Sequence, residues 1–196
     1  MTEFELTSII LSGLAIIISG LTAFKTLLSR FNGKVSFSNT LSMLKIDNIP
    51  SIGLAAFFEN IGAKAGSLDD LRLHVKNIGN GSEYDFYPIL MRNDYNIYKS
   101  YKTIDWYVFS SILLEGKSSV EKYILFKPLY DEFKTSPGII SVRLDVKWCN
   151  KNKWSMINPI FTFDLSKELS DSWANPDIPT FTILSNEAMK IRGIYG

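Results

Sequence analysis

The sequence has little of what enzymes and metalloproteins need. It contains one cysteine, Cys149, and one histidine, His74, so neither a Cys/His zinc cluster nor an intrachain disulfide is expected. The turn Gly79–Asn80–Gly81 lacks the length and the Lys-Ser/Thr end of a phosphate-binding P-loop. We therefore expect no catalytic residue, no metal site and no cofactor, and we interpret the protein as a non-enzyme.

The chain also has almost no net charge. It carries 21 Lys and Arg against 20 Asp and Glu, for a formal net charge of +1. A generally basic nucleic-acid surface is therefore not indicated. No Pro- or Gly-rich tract, long charged block or convincing internal repeat divides the sequence.

What the sequence does have is an uncharged apolar stretch near its start, residues 6–24. At about 1.5 Å per residue, a helix of this length covers roughly the 30 Å hydrocarbon core of a bilayer. We predict a transmembrane helix; a cleaved signal peptide and a buried soluble helix are the alternatives. Glu3 and Glu5 precede the stretch where a signal peptide has basic residues, which favours the membrane span.

Small and hydroxyl residues recur along this helix at alternating spacings of four and three. Such a repeat keeps one narrow face of a helix against a neighbour, and small residues allow helices to approach closely in lipid. The face either packs against another helix or, in several copies, lines a polar path. The predicted pore-lining or helix-packing residues are Glu5, Ser8, Ser12, Ala15, Ser19, Thr22 and Thr26.

The charges that flank the helix predict its orientation. Lys25, Arg30 and Lys34 follow the span and acidic residues precede it, so the positive-inside rule places the N-terminus outside and the rest in the cytoplasm. A single cysteine also agrees with a reducing compartment. We expect a single-pass protein of the inner (plasma) membrane, with a helix in residues 1–30 and a cytoplasmic β-domain in residues 31–196.

The rest of the sequence is typical of short β-strands. Residues 71–77 and 138–148 alternate apolar and polar side chains with a period of two. The other predicted strands are 34–37, 42–46, 53–60, 84–90, 105–114, 118–126, 154–157, 160–165 and 181–184, with a short helix starting at Ser166. Turns every 8–12 residues predict a mainly β fold, an antiparallel β-sandwich that is immunoglobulin-like, with a small barrel as the alternative.

One segment of this domain combines aromatic and basic side chains. Aromatic rings stack on bases or anchor interfaces, and nearby cations hold phosphates. The segment is predicted to bind a partner protein, a nucleotide or a nucleic-acid signal, unless its tyrosines simply cover the sandwich. Its predicted binding residues are Arg92, Tyr95, Tyr98, Lys99, Tyr101 and Lys102. His74, within the alternating strand 71–77, is interpreted as a surface strand residue.

The layout of a short acidic tail, one span and a β-domain without catalytic residues resembles small membrane effectors of bacterial anti-phage defence systems. Among these it is most similar to the channel component of Hailong-type systems. The resemblance is one of architecture and implies a membrane protein that permeabilises the cell under the control of a separate enzyme or sensor. Residues 113–128 and 137–148 also resemble membrane-tethered bacterial β-sandwich proteins without assigned activity, which implies fold only.

Two functions remain open from the sequence. In the first, the protein is a homo-oligomeric pore whose cytoplasmic domains keep it shut until a signal arrives. In the second, it is a membrane-anchored binding module that recruits a cytoplasmic regulatory protein. The expected partners are the protein itself, the lipid bilayer and that regulator or signal.

Overall fold

The computed structural model describes residues 2–93, 106–129, 133–175 and 181–184. An N-terminal helix precedes a series of antiparallel strands, as predicted. In chain order the elements are α1 (Glu3–Ala23), a π-helical turn (Phe24–Leu28), β1 (Gly33–Ile46), β2 (Ile49–Asn60), β3 (Gly66–Asn77), β4 (Glu83–Arg92), β5 (Tyr107–Val108), β6 (Ile112–Leu114), β7 (Ser119–Pro128), β8 (Gly138–Trp148), β9 (Ser155–Leu165), α2 (Lys167–Ala174) and β10 (Phe181–Leu184).

The described strands form one antiparallel sheet that wraps around one main core, and Ala55, Tyr123 and Leu125 form a smaller separate cluster. Their order is β10-β1-β2-β7-β4-β3-β8-β9, with β5 beside β4 and β6 beside β3. Buried apolar side chains from both halves of this sheet join one hydrophobic cluster. The predicted mainly β, sandwich-like fold is confirmed, and the sheet is nearly closed around its core.

Strand β8 shows how the sequence pattern produces this core. Its bounds are those predicted, and the alternation places every second side chain inside. Polar residues between them face outward and meet the neighbouring strands β3 and β9. The buried set is Ile140, Val142, Leu144, Val146 and Trp148, each at most 5% exposed.

Several predicted strand boundaries were wrong because bulges interrupt the alternation. The predicted strands 34–37 and 42–46 form one strand, β1, whose register against β2 shifts between Phe37 and Leu41. Within that bulge the Thr40 amide donates to the Ser38 hydroxyl at 3.0 Å. Likewise 154–157 and 160–165 belong to β9, which has a register shift opposite Val142 and Leu144. A bulge adds residues to one strand and breaks the period of two, so one strand looks like two.

One further predicted strand was wrong, and the predicted short helix is confirmed. The predicted strand 105–114 is two short strands, β5 and β6, which pair with different neighbours. The helix expected at Ser166 is confirmed as α2, with the Ser166 hydroxyl accepting from the Leu169 amide at 3.2 Å. Trp173 of α2 is buried in the core, and its indole Nε1 donates to the Leu44 carbonyl at 3.2 Å.

Candidate functional site: the exposed helix and its junction with the sheet

The N-terminal helix is apolar and entirely exposed. From Glu3 to Leu28 it has 26 residues, none of them buried, and an 18-residue window within it has a mean hydropathy of 2.0. Burying such a surface requires a membrane or another molecule, because large exposed apolar faces are unfavourable in water. The helix is therefore long and apolar enough to cross a membrane, although a signal sequence has the same length and composition.

The predicted small-residue face is preserved along α1. At 3.6 residues per turn, the positions from Glu5 to Thr22 fall within an arc of about 100°, while Ile10 and Ile17 lie opposite. The face differs from the prediction at its end, because Thr26 lies in the π-helical turn rather than in the α-helix. A π-helical turn changes the rotation per residue, so the four-and-three register applies only as far as Thr22.

Hydroxyl groups on this helix bond to its own backbone. Ser12 Oγ donates to the Ser8 carbonyl at 2.8 Å, and Thr22 Oγ1 donates to the Ile18 carbonyl at 2.8 Å. Thr26 does the same with the Thr22 carbonyl. With its proton used in this way, each hydroxyl offers oxygen lone pairs outward. The face can accept hydrogen bonds from a neighbouring helix or lie against a passing cation.

Glu5 has a structural role that the sequence analysis missed. The Thr2 amide donates to Glu5 Oε2 at 2.7 Å, and the Glu5 amide donates to Thr2 Oγ1 at 3.3 Å. This reciprocal pair is a capping box, and Thr2 with Glu5 three residues later is its sequence signature. The carboxylate therefore caps the N-terminus of the helix.

No free linker separates the helix from the sheet. The Ala63 and Lys64 amides both donate to the Ser29 carbonyl, at 3.0 and 3.1 Å. The Ala63 amide also reaches Ser29 Oγ at 2.9 Å, and the Ile61 amide donates to the Asn32 carbonyl at 3.1 Å. Residues 29–32 are thus bonded to the loop between β2 and β3 directly after the helix ends.

Asn60 joins three segments at this junction. Its side chain is fully buried. Oδ1 accepts from the Asn32 and Gly62 amides at 3.2 and 3.0 Å, while Nδ2 donates to the carbonyls of Lys64 and Glu115 at 2.9 Å each. The end of the helix, the β2–β3 loop and the β6–β7 loop are therefore held by one amide.

Close packing completes the junction. A Cβ atom at Gly62 would lie 1.9 Å from the Arg30 carbonyl oxygen, so only glycine permits this approach. Beside it the Phe31 ring packs edge-on against Trp148, with centroids 5.5 Å apart. A displacement of the sheet would therefore act on the helix end through both hydrogen bonds and ring contacts.

Most of the predicted recognition segment lies outside the described residues, namely Tyr95, Tyr98, Lys99, Tyr101 and Lys102. Arg92 is described, and its burial was not anticipated: it is 4% exposed. Its guanidinium lies 4.9 Å from the Trp106 ring centroid and 4.8 Å from that of Tyr123. Arg92 thus stacks between two rings at the base of the segment and is a packing residue there.

A network of charged side chains covers the outer face of β3, β4 and β8. Asp145, 1% exposed, accepts from Arg72 Nη2 at 2.8 Å and from Arg143 Nε at 2.9 Å. Burial lowers the pKa of Arg72, but the hydrogen bond to Asp145 and the charges of Asp85 and Asp145 outweigh it and raise that pKa above its usual value. Trp154 covers the Arg72 guanidinium at 4.9 Å.

The same network includes the only histidine. His74 is a strand residue as predicted, but its Nδ1 lies 2.9 Å from Asp85 Oδ1 and its Nε2 lies 3.5 Å from Glu83 Oε2. The hydrogen bond from Lys76 and its charge lower the pKa of Glu83. Among the described residues no group of His, Cys, Asp and Glu is arranged to hold a metal ion.

A surface cavity of about 510 Å³ opens beside this histidine. One wall is polar, with His74, Glu83 and Asp85, and the other is apolar, with Leu129 and Phe133. Such a combination fits a ligand or side chain that is apolar on one side and bears hydrogen-bond donors on the other. No pattern in the sequence predicted this cavity, because its walls come from β3, β4, the end of β7 and the segment that follows.

Comparison with known proteins finds structural similarity at low sequence identity. No family model matches the sequence, and no curated protein matches it either. A family 123 glycoside hydrolase from Clostridium perfringens is similar over 70% of this chain, at 12% identity and a TM-score of 0.38. This chain spans 27% of that enzyme. An uncharacterised β-sandwich protein from Clostridium difficile is similar over 68% of this chain and 93% of its own length, at 12% identity and a TM-score of 0.35.

Proposed function

We propose that the protein is a homo-oligomeric membrane effector whose N-terminal helices together line a gated ion-conducting pore. In this proposal the β-domain controls the pore and catalyses no reaction. The exposed small-residue face of α1 provides the surface through which copies associate, since one helix cannot enclose a path. Bulky side chains on the opposite face, such as Ile10 and Ile17, suit contact with lipid.

The observation that carries the proposal is the packed junction between helix and sheet. An anchor that only tethers a domain needs a chain connection and no more. Here Ser29, Asn32 and Asn60 bond the helix end to two loops of the sheet. A movement of the domain can thus turn or tilt the helix, which is what a gate requires.

The setting we propose is the inner membrane, crossed once, with the N-terminus outside and the β-domain in the cytoplasm. It is supported by the basic residues after the span, Lys25, Arg30 and Lys34, and by Glu3 and Glu5 before it. The biological role we propose is anti-phage defence, on the architectural resemblance described above. A cytoplasmic regulator or a nucleotide signal would then open the pore.

Reconstitution of the full-length protein tests this proposal. We expect stable oligomers in mild detergent and single-channel currents in planar bilayers made with the same sample. In the Asn60→Ala variant the β-domain would no longer control the end of the helix. The open probability of the channel would then not respond to a signal that the β-domain receives. A protein that is monomeric in detergent and carries no current at any concentration would contradict the pore.

The cavity beside His74 favours a second candidate function, a membrane-anchored module that binds a cytoplasmic protein. Its mixed walls would receive a side chain of that partner. In this case the protein inserts in membranes without conducting, and Phe133→Ala, which removes the apolar wall, abolishes recruitment of the partner. Conducting oligomers that Phe133→Ala leaves unchanged would rule against this second function.

A further inference from the structure

Three loops of the sheet meet where the helix ends. The β2–β3 loop is bonded to Ser29, which directly follows the helix. The β6–β7 loop joins it through the Lys117 amide, which donates to the Gly62 carbonyl at 2.8 Å. The β8–β9 loop begins at Cys149, whose amide donates to the Ser67 carbonyl at 3.1 Å at the start of β3. If the helix spans a bilayer, these three loops lie at its surface.

Basic side chains dominate the exposed surface of this end, which we call the basic end. Its exposed cations are Arg30, Lys64, Lys117, Lys151 and Lys153. Within the described part of the chain, none of them forms an ion pair. They outnumber the exposed carboxylates nearby, Asp69 at the start of β3 and Glu115 in the β6–β7 loop.

Nearby strand ends do not reverse this excess. Glu59 lies opposite Lys34 in the pairing of β1 with β2. Asp70 lies opposite Lys147 in the pairing of β3 with β8. Each of these two carboxylates is matched by a lysine on the neighbouring strand, so these four residues add no net charge and the excess positive charge belongs to the basic end.

We propose that the basic end binds anionic phospholipid headgroups of the leaflet on the domain's side. Lysines held at a membrane surface are attracted by its negative potential within a Debye length, roughly 10 Å at 0.1 M salt. The helix holds these loops within that range, and Ile61, 39% exposed, adds an apolar contact at the interface. This lipid contact rests on the proposed membrane span and extends that proposal. A β-domain held against the lipid headgroups keeps a fixed distance from the bilayer, which also fixes the position of the junction.

Cys149 provides a probe for the experiment, since it is exposed and lies at the basic end. The full-length protein is labelled there with a fluorescent donor and reconstituted into vesicles that carry an acceptor on their headgroups. Vesicles of phosphatidylcholine are compared with a roughly 7:3 mixture of phosphatidylcholine and phosphatidylglycerol. We expect energy transfer about twofold higher in the anionic vesicles at about 0.1 M salt, falling to the neutral value near 1 M.

Matched variants separate the basic end from overall charge. Lys64→Gln, Lys117→Gln and Lys151→Gln together should abolish the difference between the two vesicles. Lys127→Gln, Lys134→Gln and Lys167→Gln remove the same charge at the opposite end of the sheet and should leave it intact.

Two results would overturn the lipid contact. Equal transfer in both vesicles for an inserted protein would reject it while leaving the membrane anchor and the pore in place. A labelled protein that fails to float with either vesicle would reject it together with the span on which it rests.

Discussion

Two asparagines make the same pattern of side-chain hydrogen bonds at opposite ends of the sheet. Asn60 ends β2 and Asn77 ends β3, and each is followed by isoleucine and glycine. In both, Oδ1 accepts from the amide of that glycine, at 3.0 and 2.9 Å. In both, Nδ2 donates to carbonyls of a distant loop, Glu115 in one case and Pro137 in the other. Only Asn60 also holds the chain that leaves the helix.

Asn60→Ala should destabilise the domain and loosen the junction. Several buried donors and acceptors lose their partner, and each costs about 1–3 kcal/mol when left unsatisfied. Thermal unfolding measures the loss of stability, and hydrogen exchange at the Asn32 amide measures the release of the helix end.

Asn77→Ala is the matched control for that substitution. It should cost a similar free energy of unfolding, because it removes the same kind of buried amide. It should leave hydrogen exchange at the Asn32 amide unchanged, since Asn77 lies at the end of β3 that is far from the junction. Faster exchange at Asn32 in both variants would show that Asn60 has no special part in the junction.

Asp145→Asn tests the charged network on the outer face. It removes the carboxylate that Arg72 and Arg143 share. Arg72 keeps its ion pair with Asp85 at 3.2 Å, whereas Arg143 loses the carboxylate with which it pairs among the described residues. Losing the charge-assisted hydrogen bonds to this buried carboxylate costs about 2 kcal/mol. Urea unfolding of the full-length protein in detergent should show this loss, whereas Asp164→Asn, exposed on the neighbouring strand, should stay within about 0.5 kcal/mol. Equal midpoints for both variants would contradict the network's role.

At the residue scale, the sequence was enough to place the small residues on one face of α1. It was not enough to predict the polar contacts between side chains of the sheet. Nothing in the spacing of His74 and Asp85 along the chain says that the pairing of β3 with β4 places them opposite each other. The burial of Asp145 likewise depends on Arg72 and Trp154 from other elements. Thr2 and Glu5 are different, because their local spacing carries the capping signal and could have been recognised.

At the scale of elements, regular segments were predictable and irregular ones were not. Strands β8 and β10 have the predicted bounds, and in β8 the alternation is unbroken from Ile140 to Trp148. Strands β1 and β9 were each divided in two, because a bulge is set by the partner strand and leaves only a gap in the pattern. The position of α2 followed from the Ser166 cap, which is a local signal.

The small-residue face of α1 leads to a prediction at the scale of elements. Replacing Ser12, Ala15 and Ser19 with Leu fills the close approach between helices and should weaken association roughly tenfold. Leu at Ile10 and Ile17, on the opposite face, should be nearly silent. Sedimentation equilibrium in detergent gives the association constant of each variant, and equal effects on the two faces would show that the four-and-three spacing has no role.

At the scale of the whole molecule, the apolar helix, the junction and the sheet form one connected path. The apolar helix and the β-domain, which form the two ends of that path, were predicted from the sequence. The connection between them could not be predicted, because it depends on Ser29 and Asn60 meeting across the fold. The junction is what makes control of the helix by the domain physically reasonable.

In a ring of identical helices, Glu5 would form a ring of carboxylates near the external mouth. Such rings concentrate cations, so we expect weak cation selectivity. Glu5→Gln removes the charge and keeps the capping box, because glutamine can also accept from the Thr2 amide. The selectivity should therefore fall while oligomers persist, as reversal potentials in planar bilayers would measure. Glu3→Gln removes the same charge on the opposite side of the helix and should have little effect; anion selectivity in the unmodified protein, or equal shifts for both variants, would remove Glu5 from the conduction path.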